Sequence, residues 1–146
     1  MELYRICLTK YSNTLVSSNY PGRWNKKGES VIYTASNRSL ACLENLVHRS
    51  GASLATAEYT VLTIKTPEKV SIQFVKETDR IWLSNQEKTQ AYGSEWYLSL
   101  KTCLLCVPSS IIPFEYNYII NTRHGDFEKF FIAESLPFEF DRRLKE

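Results

Sequence analysis

The stretch "SVIYTASNRSLACLENLVHRSG", residues 30–51, places an apolar strand directly before an amphipathic helix. Its beginning is rich in β-branched and aromatic side chains, which is typical of a strand. Ser36 or Asn37 can then cap a helix, because a short polar side chain accepts a hydrogen bond from a free backbone N–H of the first turn. We expect this helix to run to about Arg49 and Gly51 to end it.

Strands and helices alternate along the rest of the chain. The predicted strands are residues 3–8, 30–35, 57–66, 70–75, 102–107 and 129–135, and a second helix is expected in the second half of residues 78–101. Loops are predicted at 9–30 and 108–128, and the first is too long to be an idle loop in a compact domain. The order β–loop–β–α–β–β–α–β–loop–β predicts a single mixed α+β domain over residues 1–146.

The composition is that of an ordinary globular protein with little net charge. The chain has 146 residues, of which 43% are hydrophobic and 23% charged, and its formal net charge is +2. The Lys and Arg residues are scattered, so there is no basic stripe for direct nucleic-acid binding. No apolar run approaches the ~20 residues of a membrane span, and the N-terminus lacks the pattern of an export signal. We therefore expect a cytoplasmic protein that contacts neither a membrane nor nucleic acid directly.

Four cysteines raise the question of a metal site. Cys103 and Cys106 lie three residues apart in a predicted strand, where such positions face opposite sides. A zinc site also needs a second pair of ligands, and His48 and His124 do not have a suitable spacing. We expect small buried thiols and no metal.

Glu44 is the most informative residue of the first predicted helix. The apolar stripe of that helix consists of Leu40, Leu43, Leu46 and Val47. At roughly 100° per residue, Glu44 lies about 40° from Leu40, on the rim of the stripe. A carboxylate there is partly desolvated and needs a partner. Two interpretations stay open: a boundary glutamate paired with Arg or Lys, or a carboxylate in a pocket wall, where its surroundings tune its charge.

A predicted turn that begins with a glycine holds a cation, an indole and a carboxamide in three successive residues, Arg23, Trp24 and Asn25. An exposed Trp in a turn is costly, so either the fold or a ligand must cover it. Tyr33 in the following strand is by default a core tyrosine, and Ser109 at a strand exit is by default a turn former. None of these residues indicates a function by itself.

Taken together, the motifs resemble the RES domain, a toxin family named for its Arg, Glu and Ser. The resemblance rests on "LYRI", "GRWN", "VIYTAS", "SLACLENLVH", "TQAYGSEW" and "VPSSIIPFEYNYIIN", followed by "HGDF", and it covers roughly residues 3–142. It implies a central, mostly antiparallel β-sheet flanked by helices, similar to the fold of ADP-ribosyltransferase toxins.

The resemblance also implies an activity and a partner. RES toxins consume NAD⁺ by cleaving the nicotinamide–ribose bond, several of them by phosphorolysis to ADP-ribose 1″-phosphate and nicotinamide. It implies NAD⁺ as substrate, inorganic phosphate as co-substrate, no resident cofactor, and an Xre-type helix-turn-helix antitoxin, in a homodimer or a toxin–antitoxin hetero-oligomer. Hydrolysis stays open. So do mono-ADP-ribosyl transfer to a protein and a non-catalytic module that binds NAD⁺ or nucleic acid.

The resemblance assigns roles to individual residues. The family's catalytic positions match Arg23, Tyr33, Glu44 and Ser109, and substrate-binding roles are predicted for Arg5, Trp24, Asn25 and Asn117. A glutamate can accept hydrogen bonds from the ribose hydroxyls and stabilise developing positive charge. Arginines offer planar sets of donors for the diphosphate or for phosphate. The phenol ring can stack on nicotinamide, the serine hydroxyl can bond its carboxamide or a phosphate oxygen, and the indole walls the site.

Overall fold

The computed structural model describes residues 1–77 and 79–145. The strands are β1 (Glu2–Leu8), β2 (Val31–Ala35), β3 (Tyr59–Lys65), β4 (Ile72–Phe74), β5 (Leu104–Pro108), β6 (Tyr116–Asn121) and β7 (Phe131–Phe138), and the helices are α1 (Arg38–Leu46), α2 (Gly51–Thr56), α3 (Arg80–Ser84) and α4 (Gln86–Ser99). Residues 78 and 146, at the start of the predicted helical region and at the end of the predicted domain, lie outside the described residues. No helix within the described part is long and apolar enough to cross a membrane.

All seven strands form one mixed sheet in the order β4-β5-β6-β2-β1-β3-β7. Neighbouring strands are antiparallel except for β4 and β5, which are parallel. A parallel pair needs a crossover connection, and α3 and α4 supply it between β4 and β5. The prediction of an α+β fold with a mostly antiparallel sheet and flanking helices is confirmed.

The sheet is almost divided between β1 and β2. These two strands pair at one register position, Tyr4 with Ala35, whereas β1 and β3 pair along their whole length from Glu2–Lys65 to Leu8–Tyr59. From this pair, β1 toward Leu8 and β2 back toward Val31 diverge, so the sheet consists of a β4-β5-β6-β2 half and a β1-β3-β7 half. Backbone groups along this split lack ladder partners and are available for other contacts.

The helices cover one face of the sheet, with a separate core over each half. On that face, α1 and α2 bury a cluster that includes Ile6, Leu40 and Val61, on the β1-β3-β7 half. The helix α4 buries a cluster that includes Trp96 and Leu105, on the other half. A third cluster lies on the opposite face and holds two of the cysteines. The division of the sheet is thus matched by a division of the core beneath the helices.

The predicted buried thiols are found for three of the four cysteines. Cys7, Cys103 and Cys106 are buried, while Cys42 is partly exposed on α1, and all four are free thiols. Burial raises the pKa of the Cys103 thiol to about 12, so it is protonated at neutral pH. These cysteines pack as small apolar side chains.

The first helix is shorter than its sequence predicts. Asn37 caps it as expected, since its Oδ1 accepts a hydrogen bond from the amide of Leu40 at 2.8 Å. The helix ends at Leu46, and Val47 is 53% exposed and not part of the apolar stripe. The prediction that Gly51 ends a helix is wrong, because Gly51 begins α2. Its N-cap is Ser50, whose hydroxyl accepts a hydrogen bond from the amide of residue 53.

One central strand was missed. Residues 108–128 were predicted to be a loop, but β6 (Tyr116–Asn121) lies there, between β5 and β2. Pro108, Pro113 and Gly125 flank this segment and indicated a loop. The strand forms nevertheless, because it pairs on both sides, and its last three residues are fully buried.

Candidate active site

A cavity of about 660 Å³ opens on the helix-covered face, where β1 and β2 diverge. Both halves of the sheet contribute to its wall, together with α1 and the long loop before β2. The lining includes Arg5, Arg23, Trp24, Tyr33, Glu44, Asn45, His48, Arg49 and Asn117. Six of the eight predicted site residues line it, and they come from five separate segments of the chain: Arg5, Arg23 with Trp24, Tyr33, Glu44 and Asn117.

Glu44 is held at the wall of this cavity by two neutral donors. The hydroxyl of Ser109 donates to its Oε1 at 2.8 Å, and the side-chain amide of Asn117 donates to the same oxygen at 2.7 Å. Within residues 1–77 and 79–145, no Lys or Arg forms an ion pair with Glu44. The interpretation of Glu44 as a pocket-wall carboxylate therefore fits better than a boundary ion pair. One oxygen is fixed by the protein, and the other is available to a ligand.

Ser109 orients Glu44 and does not line the cavity. It follows β5 and is only 2% exposed. Its Oγ accepts hydrogen bonds from the amides of Ile111 and Ile112 at 3.2 and 3.1 Å, which form the turn after the strand. A hydroxyl has one proton to donate, and that proton goes to Glu44. This geometry differs from the predicted contact between Ser109 and a ligand.

Asn117 carries an unusual buried acceptor. It lies in β6 between Ala35 of β2 and Val107 of β5, which fixes its backbone on both sides. Its amide nitrogen is committed to Glu44, so the orientation of the carboxamide is set. Its Oδ1 is buried and has no hydrogen-bond partner among the described residues. A buried carbonyl oxygen without a donor costs about 1–3 kcal/mol, so this atom is suited to a donor on a ligand.

The turn before β2 is built around the hydroxyl of Tyr33. This hydroxyl donates to Oδ1 of Asn25 at 2.5 Å and accepts from the amide of Trp24 at 3.0 Å. Gly22 approaches the same hydroxyl so closely that an added Cβ would lie 2.6 Å from it. Burial raises the pKa of Tyr33 above its ordinary value, so the phenol stays protonated. Tyr33 therefore fixes the turn and also lines the cavity.

The side chain of Asn25 stabilises the turn before β2. It is 1% exposed and is absent from the cavity wall. Its amide nitrogen donates to the carbonyl oxygens of Tyr20 and Lys26 at 3.0 and 3.2 Å. With Oδ1 bonded to Tyr33, its side chain is fully used within the protein. A direct contact between Asn25 and a substrate, as predicted, does not fit this arrangement.

The fold covers most of Trp24. The indole is 2% exposed and contacts the rings of Trp82 and Tyr92, with centroids 6.2 and 6.0 Å away. The helix α4 presses on this turn at Gly93, where an added Cβ would lie 1.7 Å from the carbonyl oxygen of Trp24. Trp24 is also among the residues that line the cavity. Its main role is to anchor the turn in the core under α4.

Arg23 projects from the anchored turn into the cavity wall. Its Nη1 donates to the carbonyl oxygen of Leu83 on α3 at 2.8 Å, and its own carbonyl oxygen accepts from the hydroxyl of Thr89 on α4 at 2.5 Å. The remaining guanidinium donors are available for an anion. The side chain is held at a fixed place beside the cavity, as a binding group requires.

Arg5 enters the cavity from the split between the half-sheets. Its Nη1 is 3.4 Å from the carbonyl oxygen of Tyr33, one of the backbone groups that the diverging strands leave without a ladder partner. Burial lowers the pKa of the Arg5 guanidinium.

The sequence indicated Arg5 as a site residue but did not indicate Arg49 and His48, which also line the cavity. His48 lies one helical turn after Glu44, a spacing that could have indicated it.

The wall therefore combines three arginines with one carboxylate, Glu44, which holds a free oxygen. Such a wall suits a ligand that carries phosphate groups and also a centre of positive charge. The fold and cavity together define a mixed α+β domain with an arginine-lined cleft in a split sheet. The chain belongs to the RES domain family, whose model matches residues 2–141.

The chain is also similar to curated toxins and to a solved toxin structure. The chain is 36% identical over 156 residues to the "Toxin Res" of Yersinia enterocolitica, and the match covers 99% of this chain and 100% of that protein. It is 38% identical over 111 residues to a "Prs ADP-ribosylating toxin" of Sphingobium sp., covering 72% of this chain and 68% of that protein. A chain in the crystal structure of the M. tuberculosis MbcT-MbcA toxin-antitoxin complex has the same fold, with a TM-score of 0.70 and 17% identity over 98% of this chain and 85% of that chain.

Proposed function

We propose that this protein is the toxin of a toxin–antitoxin pair and that it cleaves the nicotinamide–ribose bond of NAD⁺, transferring the ADP-ribosyl group to inorganic phosphate. Membership of the RES family and full-length similarity to a curated toxin support the role as a toxin. The observation that carries the proposed chemistry is the Glu44 carboxylate, fixed through one oxygen by Ser109 and Asn117 in the wall of an arginine-lined cavity.

The reaction requires little acid–base chemistry. The bonding electron pair leaves with nicotinamide, whose ring nitrogen becomes neutral, so no general acid is needed. A phosphate oxygen forms the new bond to the anomeric carbon, which gives ADP-ribose 1″-phosphate. The barrier lies in an oxocarbenium-like ribosyl cation, and catalysis consists of stabilising that cation and orienting the substrate.

Glu44 and Asn117 together suit the ribose next to nicotinamide. The free Oε2 of Glu44 can accept from a ribose hydroxyl, and its negative charge stabilises the adjacent cation. The unpartnered Oδ1 of Asn117 offers a second acceptor, held beside the first by the hydrogen bond between the two side chains. Neighbouring acceptors of this kind match the paired hydroxyls of a ribose. Ser109 acts by holding Glu44 in place.

The remaining residues position the dinucleotide. Arg23 and Arg5 bind phosphate groups, and the exposed part of the Tyr33 ring offers a surface on which nicotinamide can stack. Trp24 and Asn25 hold the turn that presents Arg23. NAD⁺ is the substrate and phosphate the co-substrate, so the site requires no resident cofactor or metal.

The proposed partner is an Xre-type helix-turn-helix antitoxin. The similar fold in a solved toxin–antitoxin complex supports a partner of this functional class. Either a homodimer or a hetero-oligomer with the antitoxin is compatible with the family. We expect the toxin to act in the cytoplasm, where NAD⁺ and phosphate are both abundant, without direct contact to DNA, RNA or membrane.

A second candidate activity is mono-ADP-ribosyl transfer to a protein. It would use the same cavity and the same ribosyl cation, with a protein side chain as the acceptor in place of phosphate. The relative from Sphingobium sp. favours it, because that protein is named as an ADP-ribosylating toxin.

Incubating the purified protein with NAD⁺, with and without phosphate, tests the proposal. We expect nicotinamide release and, by mass spectrometry, ADP-ribose 1″-phosphate only when phosphate is present. Glu44→Gln should lower kcat about 10²–10³-fold, the usual effect of losing one well-placed transition-state contact. Glu95→Gln, on the exposed face of α4, is the matched control and should leave kcat unchanged.

Three outcomes separate the alternatives. Free ADP-ribose without phosphate dependence means hydrolysis. A labelled protein band after incubation of a lysate with labelled NAD⁺, without small products, means protein modification. Intact NAD⁺ under all conditions, with a folded protein, overturns the proposed activity.

A further inference from the structure

Two arginines line the side of the cavity that belongs to the β1-β3-β7 half-sheet. Arg5 reaches the cavity from β1, and Arg49 reaches it from the turn between α1 and α2. The Nε of Arg49 donates to Oδ1 of Asn45 at 3.0 Å, and its guanidinium lies 5.1 Å from the centre of the Tyr59 ring. Tyr59 is the register partner of Leu8 in β1. Arg49 is therefore held against β3, which pairs with the strand that carries Arg5.

The neighbours of Arg5 leave its charge without compensation. A guanidinium has five N–H donors, and Arg5 places one of them, at 3.4 Å, on a backbone carbonyl oxygen. The thiol of Cys7 also interacts with it, and burial raises the pKa of this thiol, so the thiol is neutral at pH 7. Among residues 1–77 and 79–145, no carboxylate forms an ion pair with Arg5.

Arg49 adds to the uncompensated positive charge at Arg5. Burial is the main cause of the lowered pKa of Arg5, and the positive charge of Arg49 lowers it further. A partly desolvated cation beside a second cation is unfavourable unless an anion binds between them. A phosphate group is the anion that planar guanidinium donors match best.

We propose that Arg5 and Arg49 form a phosphate-binding subsite distinct from the one at Arg23. Arg23 belongs to the other half-sheet, since its turn is fixed by α3 and α4. The cavity then has one cationic position on each side of the split, with Glu44 in its wall. Phosphorolysis needs two such positions, for the diphosphate of NAD⁺ and for the attacking phosphate. This inference rests on the proposed function, in which the bound phosphate group comes either from NAD⁺ or from inorganic phosphate.

Arg49→Gln tests the subsite, with Arg123→Gln as the matched control. Arg49 is half-buried and lies in a turn, so its replacement should leave the fold intact, and thermal unfolding without ligand verifies this. Arg123 is an exposed arginine away from the cavity. Binding of inorganic phosphate and of ADP-ribose is measured separately by isothermal titration calorimetry. We expect Arg49→Gln to weaken binding of one of them about tenfold or more, and the control variant to bind both normally.

The two probes identify the source of the phosphate group. Weaker binding of ADP-ribose with normal phosphate binding assigns the subsite to the diphosphate, and the reverse assigns it to the attacking phosphate. Unchanged binding of both probes overturns the inference. Because neither probe is turned over, the result does not depend on NAD⁺ cleavage. If cleavage is absent but Arg49 still governs phosphate binding, the proposed activity fails and the subsite stands.

Discussion

Replacing Asn117 with alanine should separate activity from stability. This side chain has one favourable contact, the 2.7 Å hydrogen bond to Glu44, and one unfavourable feature, the buried Oδ1 without a partner. Asn117→Ala removes both at once. We therefore expect the variant to lose activity while its free energy of unfolding changes little.

The two effects have estimable magnitudes. A hydrogen bond to a charged group contributes about 1.5–3 kcal/mol, and this amount lost from the transition state lowers kcat about 10- to 150-fold. Removing an unsatisfied buried acceptor returns about 1–3 kcal/mol to the folded state. The lost hydrogen bond and the removed acceptor nearly cancel, so the free energy of unfolding should stay within about 1 kcal/mol of the wild-type value.

Asn121 provides a matched control on the same strand. It is fully buried, donates to the carbonyl oxygen of Tyr97 at 3.0 Å and accepts from the amide of Arg123 at 3.0 Å, and it does not line the cavity. Asn121→Ala breaks two satisfied hydrogen bonds and should cost about 2–3 kcal/mol of stability. Its kcat, measured under conditions in which it is folded, should be unchanged.

Two measurements decide the comparison. Urea unfolding gives the stability of both variants, and nicotinamide release gives kcat and KM. An NAD⁺ analogue without the 2′-hydroxyl of the nicotinamide ribose adds a third. If Oδ1 of Asn117 accepts from that hydroxyl, the analogue should lower kcat/KM less for the Asn117 variant than for the wild type. The reasoning is refuted if Asn117→Ala is as unstable as Asn121→Ala and retains full kcat.

Two further predictions concern the turn that carries Arg23. Gly93→Ala should destabilise the protein by about 3 kcal/mol or more, because its Cβ would lie 1.7 Å from the carbonyl oxygen of Trp24. The control Gly125→Ala, whose Cβ would have nothing within 4 Å, should be nearly neutral in urea unfolding. Equal stabilities of the two variants would contradict the close contact at Gly93. Burial raises the pKa of Tyr33 above 10.0 in the folded state, so the unfolded state releases its proton first and stability should fall as pH rises above 10.0. Tyr33→Phe should lose this part of the alkaline slope, and identical slopes from urea unfolding at about pH 9–11 would count against it.

Local patterns predicted most of the fold. Short apolar runs located β1, β2, β3 and β5, and Asn37, one of the two residues predicted to cap the first helix, does so. The misses also had local causes: Ser50 restarted a helix where Gly51 indicated an end, and prolines around β6 concealed a central strand. In both places a pairing or capping contact outweighed the propensity of single residues.

The site was predicted in part. Motif order identified Glu44, Arg23, Tyr33 and Arg5, all of which line the cavity. It did not show how the side chains are used, since those of Asn25 and Ser109 are committed to contacts within the protein. Nor did it indicate Arg49, because an arginine in a short turn has no local feature that distinguishes it from a solvated one.

The sequence by itself determined most of the strands, the start of the first helix with Glu44 on its rim, and the family to which the chain belongs. Only the tertiary structure decided that Ser109 and Asn117, 65 and 73 residues away, hold that carboxylate, and that the sheet divides between β1 and β2 to form the cavity. The physical reason is that periodicity records which face of an element is buried. Contacts between distant segments depend instead on strand order and register, which pairing across the whole sheet determines.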